Sequence, residues 1–277
     1  HEGMKELLRL RSDELRSAQA FIVTADKMAV SDVQRAVHHL NAEIFQLATS
    51  LADKWSYRVE YRGKGGKREA QENESFGRVR AIIGGRMIGL LRTVRHDESP
   101  YCVQIGLQSC LAVYSASASE HWTVDGEQAK EEAIHDMYTR LKTSEPHSVS
   151  RMWRALACRY REQPQSKYSD LASTLARHLT DVLIVSGAEE DFENIHATIL
   201  STFSLNLGNV VRHIAGLQQI LHESIVSCEL KLAISHPDDP FDSSRLEDIG
   251  EDPSKDSDRE VVCTVDVGLA RSEEVHG

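Results

Sequence analysis

Apolar residues recur every three or four positions along most of this chain. The clearest run is the seam formed by Val33, Val37, Leu40, Ile44, Leu47 and Leu51. Alternating steps of four and three are typical of a helix that packs lengthwise on another helix. Similar spacing continues to about residue 235 without alternating strand and helix patterns. The pattern therefore predicts an all-α protein, a multi-helix bundle of about eight helices.

Breaks in the periodicity divide the chain into four parts. Residues 1–57 are predicted to form a helical hairpin or coiled-coil-like segment, and residues 58–75, with Gly63, Gly65 and Gly66 among charges, a mobile basic loop. Residues 76–235 are predicted to form a helical bundle domain. Residues 236–277 hold thirteen acidic and four basic residues, a net charge of −9, and are expected to be a disordered acidic tail.

One stretch of the acidic tail departs from that composition. Val261, Cys263, Val265, Val267 and Leu269 alternate with period two, which is typical of a short strand. We expect this island to dock either on the same globule or on the sheet edge of a partner.

Composition favours packed helices in a reducing compartment. Aromatic residues make up only 6% of the 277 residues, whereas sheets favour aromatic side chains. The five cysteines are irregularly spaced and form no C-x-x-C pair, which indicates reduced thiols. No apolar run is long enough to span a bilayer. The expected location is intracellular, in the cytoplasm or nucleus, with no transmembrane segment.

Two stretches carry a resemblance to a known group of proteins. They are the run from Glu6 through Leu15, Ala18 and Phe21 to Asp26, and the run from Leu40-Asn41-Ala42-Glu43 through Ala52-Asp53. Together they resemble an uncharacterised family of proteins from mushroom-forming fungi. In that family a coiled-coil segment precedes a helical domain. The resemblance implies a helical fold and an intracellular fungal origin, and it implies no activity.

The long seam also suggests an assembly surface. Residues 4–29 and 33–55 are adjacent predicted helices with coiled-coil-like spacing. We expect self-association or binding of a protein partner through them. The predicted oligomer interface consists of Val33, Val37, Leu40, Ile44, Leu47 and Leu51.

Metal chemistry has only weak candidates. Glu-x-x-His occurs at Glu132–His135 and at Glu193–His196, and di-iron bundles use two such pairs. Glu132 points away from the apolar stripe of its predicted helix, whereas His196 lies near one. Glu193 and His196 are therefore the better candidates, but we expect no metal and no cofactor. No nucleophile or phosphate-binding motif occurs, so catalytic residues are unknown.

A basic stretch at residues 76–95 contains five arginines and no acidic residue. Arg78, Arg86, Arg92 and Arg95 lie off its apolar stripe and could bind nucleic acid, an anionic surface or an acidic partner. The competing interpretation, which we favour, is that their stems cover apolar surface and their charges pair with neighbouring glutamates. The acidic tail could mask the same face.

Three functions are compatible with these observations. The first is a helical protein-interaction or scaffold protein, favoured by the seams and the absence of catalytic motifs. The second is an enzyme with a cavity inside the bundle, which could depend on a metal. The third is a regulator that binds nucleic acid or an anionic surface through residues 76–95. Fold alone does not choose among them.

Overall fold

The computed structural model describes residues 3–6, 8–9, 11–13, 26, 28–58, 67–122, 128–160, 167–250 and 259–271. It is 69% helical, which confirms the prediction of a mostly helical protein. The helices with defined bounds are α1 (Val30–Ala52), α2 (Lys67–Ile83), α3 (Gly85–Thr93), α4 (Tyr101–Glu120), α5 (Gln128–Ser144), α6 (His147–Tyr160), α7 (Lys167–Val185), α8 (Phe192–Thr202) and α9 (Ser204–Gln219). Among the described residues, none of the helices combines the length and the hydropathy that a membrane crossing requires.

Helix α4 lies at the centre of the main core. It packs against α1, α2, α3, α7 and α9, and also against strand β1 (Leu230–Ala233). Its sequence alternates small and apolar residues, so it buries side chains around most of its circumference. Leu107 and Leu111 are fully buried there.

Helix α1 belongs to this same core. All six seam residues are buried in the chain itself, with exposed fractions between 0% and 5%. They pack against α4 and α9. The predicted oligomer interface of Val33, Val37, Leu40, Ile44, Leu47 and Leu51 is thus internal core, and residues 28–57 are not separate from the bundle. The periodicity identified the buried face but not its partner.

The predicted loop at residues 58–75 and the predicted helix at 76–95 both need correction. Helix α2 begins at Lys67, and residues 59–66 lie outside the described residues. The basic stretch is two helices, because Gly84 separates α2 from α3 with a φ of +84°. That backbone conformation is available to glycine and strained for other residues.

Helices α5 and α6 form a hairpin at the edge of the bundle. Helix α6 packs mainly on a π-helical turn (Ile220–Ser224) that continues α9. A second, smaller apolar cluster fills the hairpin, consisting of Trp122, Tyr138 and Cys158 with Ile134 and Trp153 at its margin.

Part of the acidic tail folds back onto the globule. Strand β2 (Gly268–Arg271) pairs antiparallel with β1, with Leu230 opposite Arg271 and Ala233 opposite Gly268. The expected disorder is therefore incorrect for residues 259–271, and the predicted strand is present near the end of the 261–269 island. Residues 251–258 and 272–277 lie outside the described residues.

Candidate functional site

The C-terminal strap, residues 259–271, is held along most of its length by backbone-directed contacts. At its end, β2 adds to β1 as a second strand. At its beginning, the Val261 backbone exchanges two hydrogen bonds of 2.8 Å with Asp238 and Asp239. Between them, the Thr264 hydroxyl donates to the Ser235 carbonyl oxygen and accepts from its amide at 2.7 and 3.1 Å. These contacts hold the strap in an extended conformation against residues 230–239.

Asn41 on α1 supplies the most specific of these contacts. Its Nδ2 donates to the carbonyl oxygen of Val267, and its Oδ1 accepts from the amide of Val267, both at 3.0 Å. A side-chain amide has one donor group and one acceptor, so it can complete both backbone bonds of one strand residue. The Val267 side chain is 3% exposed. Asn41 therefore fixes the register in which the strap enters the core.

The strap also passes the junction between α2 and α3. Glu260 forms an ion pair with Arg86, with Nη1 and Oε2 at 2.7 Å and both side chains about half exposed. The ring of Pro237 lies so close to Gly84 that an added Cβ would meet the proline Cβ at 2.5 Å. Because Gly84 has no side chain, the junction between α2 and α3 can approach Pro237 closely.

The four predicted anion-binding arginines have partners in the structure. Arg78 binds the fully buried carboxylate of Asp181 through Nε and Nη2, both at 2.7 Å, and the Ser75 hydroxyl donates to the same carboxylate. This hydrogen-bonded pairing raises the pKa of Arg78 despite partial burial.

The other three arginines do not converge on one site with Arg78. Arg86 pairs with Glu260, and Arg95 pairs with Asp97 and Glu98. The guanidinium of Arg92 lies over the Phe76 ring, 5.4 Å from its centroid. These contacts of the three arginines are with other residues of the same chain.

The candidate metal residues Glu193 and His196 lie on α8. Glu193 is exposed, and the half-buried His196 ring stacks on Phe192 with centroids 5.9 Å apart. Glu132 and His135 are both exposed on α5, and their helix does not pack against α8. No group of three or more His, Cys, Asp or Glu side chains that could hold a metal occurs in the part of the chain that is described.

Helix α6 exposes three of its large apolar residues, whereas Trp153 packs at the margin of the smaller apolar cluster. Its buried residues are Ser150, Arg154, Ala155 and Cys158. By contrast, Val149, Leu156 and Tyr160 are 47%, 42% and 79% exposed. At 100° per residue these three side chains lie within about 40° of one another around the helix. The helix is amphipathic, but the face that it buries is its polar and small one.

Polar contacts explain why the inner face of α6 is buried. Arg154 is 3% exposed and donates to the carbonyl oxygen of Ile225 at 2.7 Å. Tyr138 lies against Arg154 and Glu229, and its burial raises its pKa. Burial also acts to raise the pKa of Glu229, but the ion pair with Lys142 and the charge of Arg154 outweigh burial and lower it. This network ties the hairpin to the chain after the π-helical turn.

Asp26 is held by the backbone of the segment that follows the π-helical turn. The Asp26 carboxylate accepts from the amides of Val226 and Ser227 at 2.7 and 3.0 Å. The Ser227 carbonyl oxygen in turn accepts from Arg151 on α6. Asp26 and Arg151 of α6 thus share Ser227 as a hydrogen-bonding partner. Met4 and Leu8, at helical positions further upstream, are 67% and 66% exposed.

Sequence patterns identified some of these features and missed others. The alternation at 261–269 predicted a strand that docks, but nothing marked Asn41, an ordinary polar position beside the seam, as its receptor. A helical region was predicted for residues 76–235, but the exposed apolar face of α6 could not be inferred because apolar faces are normally buried.

The comparisons with known proteins give no family and no relative from which a role could be transferred. No family model, no curated protein and no solved structure matches this chain.

Proposed function

We propose that this chain is a helical protein-interaction protein that assembles with further copies of itself through the α6 face, defined as Val149, Leu156 and Tyr160. The observation that carries the proposal is the outward orientation of these side chains on a helix whose polar face is buried. Clustered apolar side chains on a surface are typical of interaction sites. Further burial of each contributes about 1 kcal/mol to association.

The occupant that we propose for the α6 face is the N-terminal segment, residues 3–25, of a second copy. Met4 and Leu8 are exposed one helical turn apart, and the sequence continues their spacing at Leu15, Ala18 and Ile22. This segment joins the described part of the chain at Asp26, whose carboxylate accepts from the amides of Val226 and Ser227. Reciprocal exchange between two copies would bury both apolar surfaces with twofold symmetry.

The alternative functions have weaker support. Residues 76–95 could bind nucleic acid or an anionic surface only if Arg78, Arg86 and Arg95 left their carboxylate partners. Arg78, for example, would have to leave Asp181. An enzyme with a cavity inside the bundle, dependent on a metal or not, stays an alternative prediction. Neither alternative accounts for the α6 face.

Sedimentation velocity over about 1–100 µM protein, a range in which weak protein contacts saturate, tests the proposal. We expect the average mass to rise with concentration. The double substitution Leu156→Glu with Tyr160→Glu should keep the chain monomeric, because it places charges in the contact. Leu205→Glu is the matched control, since Leu205 is 73% exposed on α9 and outside the α6 face.

Two results would contradict the proposal. One is a parent protein that stays monomeric over the whole concentration range. The other is an equal loss of assembly in the α6 double variant and the Leu205→Glu control, which would place the contact elsewhere. Removal of residues 1–25 should also abolish assembly, and assembly that survives this truncation would rule out the N-terminal segment as the occupant.

A further inference from the structure

We propose that β1 and Asn41 form a strand-binding groove, which the strap occupies in the resting chain and from which an extended peptide of another protein can displace it. The groove shares no residue with the α6 face, so this proposal goes beyond the proposed self-assembly. The expected ligand is an extended segment with apolar side chains at alternate positions.

The resident strap shows which chemistry the groove accepts. The ladder with β1 and the two bonds from Asn41 are made to backbone atoms, so they fit any extended peptide. Selectivity comes from the site that buries Val267 and from the half-buried position of Leu269. Arg86 adds a preference for an acidic residue upstream, which Glu260 provides in the strap.

None of the four residues of β2, at the end of the strap, is fully buried, whereas the helices of the core bury many side chains. Strand β2 is four residues long and pairs with one neighbour, and its Gly268 and Arg271 are exposed. Most of residues 242–250, which lead toward the strap, are also exposed. Elements with few buried contacts and exposed backbone bonds open with a smaller free energy than the global unfolding free energy. Release of the strap therefore does not require the helical core to unfold.

The intramolecular connection determines how strongly a free peptide can compete. Because the strap and the groove belong to one chain, the strap has an effective concentration of the order of millimolar at its own groove, a value typical of a short tether. A peptide in solution therefore binds poorly while the connection is intact, and much better once it has been cut. A peptide that adsorbs to another surface would bind the cut and uncut proteins equally, so the difference in affinity identifies binding in the groove.

The test uses the full chain with residues 251–258 replaced by a protease site of equal length. After folding, the chain is cut there, and a fluorescent synthetic peptide of residues 259–271 is added in excess. Fluorescence anisotropy and size exclusion report exchange. We expect the cut protein to bind the peptide at least tenfold more tightly than the uncut protein, because the tethered competitor has been released. A peptide carrying Val267→Asp should not bind.

Asn41→Ala in the cut protein should weaken peptide binding about tenfold, the effect of losing two backbone-directed hydrogen bonds. Gln46→Ala is the matched control, since Gln46 is exposed on the same helix. Equal affinities of the two variants, or equal binding by the cut and uncut proteins, would overturn the proposal.

A second measurement covers the case in which cutting unfolds the protein. In the uncut chain, hydrogen exchange of residues 259–271 should be about tenfold faster in Asn41→Ala than in the parent, while the exchange of α4 and α7 is unchanged. Unchanged exchange of the strap in Asn41→Ala would show that the groove does not hold it and would overturn the inference.

Discussion

At the scale of single residues, polar side chains join segments that are far apart in this chain. Asn41 holds Val267, Asp26 caps the amides of residues 226 and 227, and Asp181 receives both Ser75 and Arg78. Each of these side chains accepts two or more hydrogen bonds or combines a donor and an acceptor, as buried and half-buried polar groups usually do. The apolar core supplies most of the stabilising free energy, whereas these contacts determine which surfaces meet.

The Asp181 contact leads to a stability prediction. Arg78→Ala leaves a fully buried carboxylate with only the Ser75 hydroxyl as a hydrogen-bond donor from α2. We expect a loss of about 3 kcal/mol in the free energy of unfolding, measured by urea denaturation, because an unpaired buried charge is costly. Arg80→Ala, at an exposed position of the same helix, should change it by less than about 0.5 kcal/mol.

A double-mutant cycle separates the ion pair from loss of packing. Arg78→Ala should cost much less in a chain that already carries Asp181→Asn, because the uncompensated charge is then absent. An equal cost in both backgrounds would mean that the arginine stem, and not its charge, stabilises α2.

Two glycines in the same region should respond in opposite ways to alanine. Gly84→Ala should lower the free energy of unfolding by about 2 kcal/mol or more, because its φ of +84° disfavours a side chain and the new Cβ would overlap Pro237. Gly77→Ala should raise it by about 0.5–1 kcal/mol, because Gly77 lies within α2 and an added Cβ would meet no atom within 4 Å. Urea denaturation of both variants measures the two signs, and destabilisation by Gly77→Ala would contradict the helical assignment there.

At the scale of elements, the orientation of α6 could not be obtained from its sequence. Its buried face contains Ser150 and Arg154, whereas its large apolar residues Val149, Leu156 and Tyr160 are exposed. The carbonyl oxygen of Ile225, which accepts from Arg154, lies more than seventy residues away, in the segment after the π-helical turn. In α1, by contrast, the apolar stripe is the buried face and was predicted residue by residue. The apolar stripe is therefore the buried face in α1, whose buried residues are all apolar, but not in α6, where Arg154 is buried.

The polar network of the α5–α6 hairpin predicts a pH dependence. Because the folded state lowers the pKa of Glu229, its ionised form stabilises the fold above about pH 4.5, its ordinary value, and that stabilisation is lost as pH falls through the lowered pKa. Glu229→Gln should cost about 1–2 kcal/mol at neutral pH, the magnitude of hydrogen bonds to a charged group.

The measurement is the urea midpoint of the parent and the variant between about pH 7 and pH 3, a range that spans carboxylate titration. We expect the difference between them to shrink as the pH falls below about 4.5. Glu145→Gln, at an exposed position of the same hairpin, should show a small difference at every pH. A constant difference for Glu229→Gln would argue against the ion pair as its source.

At the scale of the whole molecule, the helical class was predictable and the arrangement was not. The mostly helical content follows from spacing within single segments, which is local information. The division into an N-terminal segment, a loop, a bundle and a tail did not anticipate that α1 packs against α4 and α9, or that Val267 returns to Asn41. Those contacts depend on residues up to 226 positions apart, and no local pattern encodes them.

The placement of α1 has a consequence for the newly synthesised chain. Helix α1 is complete at Ala52, yet one of its two main packing partners, α9, begins only at Ser204. At about 5–20 residues per second, the ribosome needs roughly 8–30 s to make the intervening chain. Throughout that interval the most regular apolar seam in the protein is without one of its native neighbours. The nascent chain therefore presents a ready binding site for chaperones until α9 has emerged.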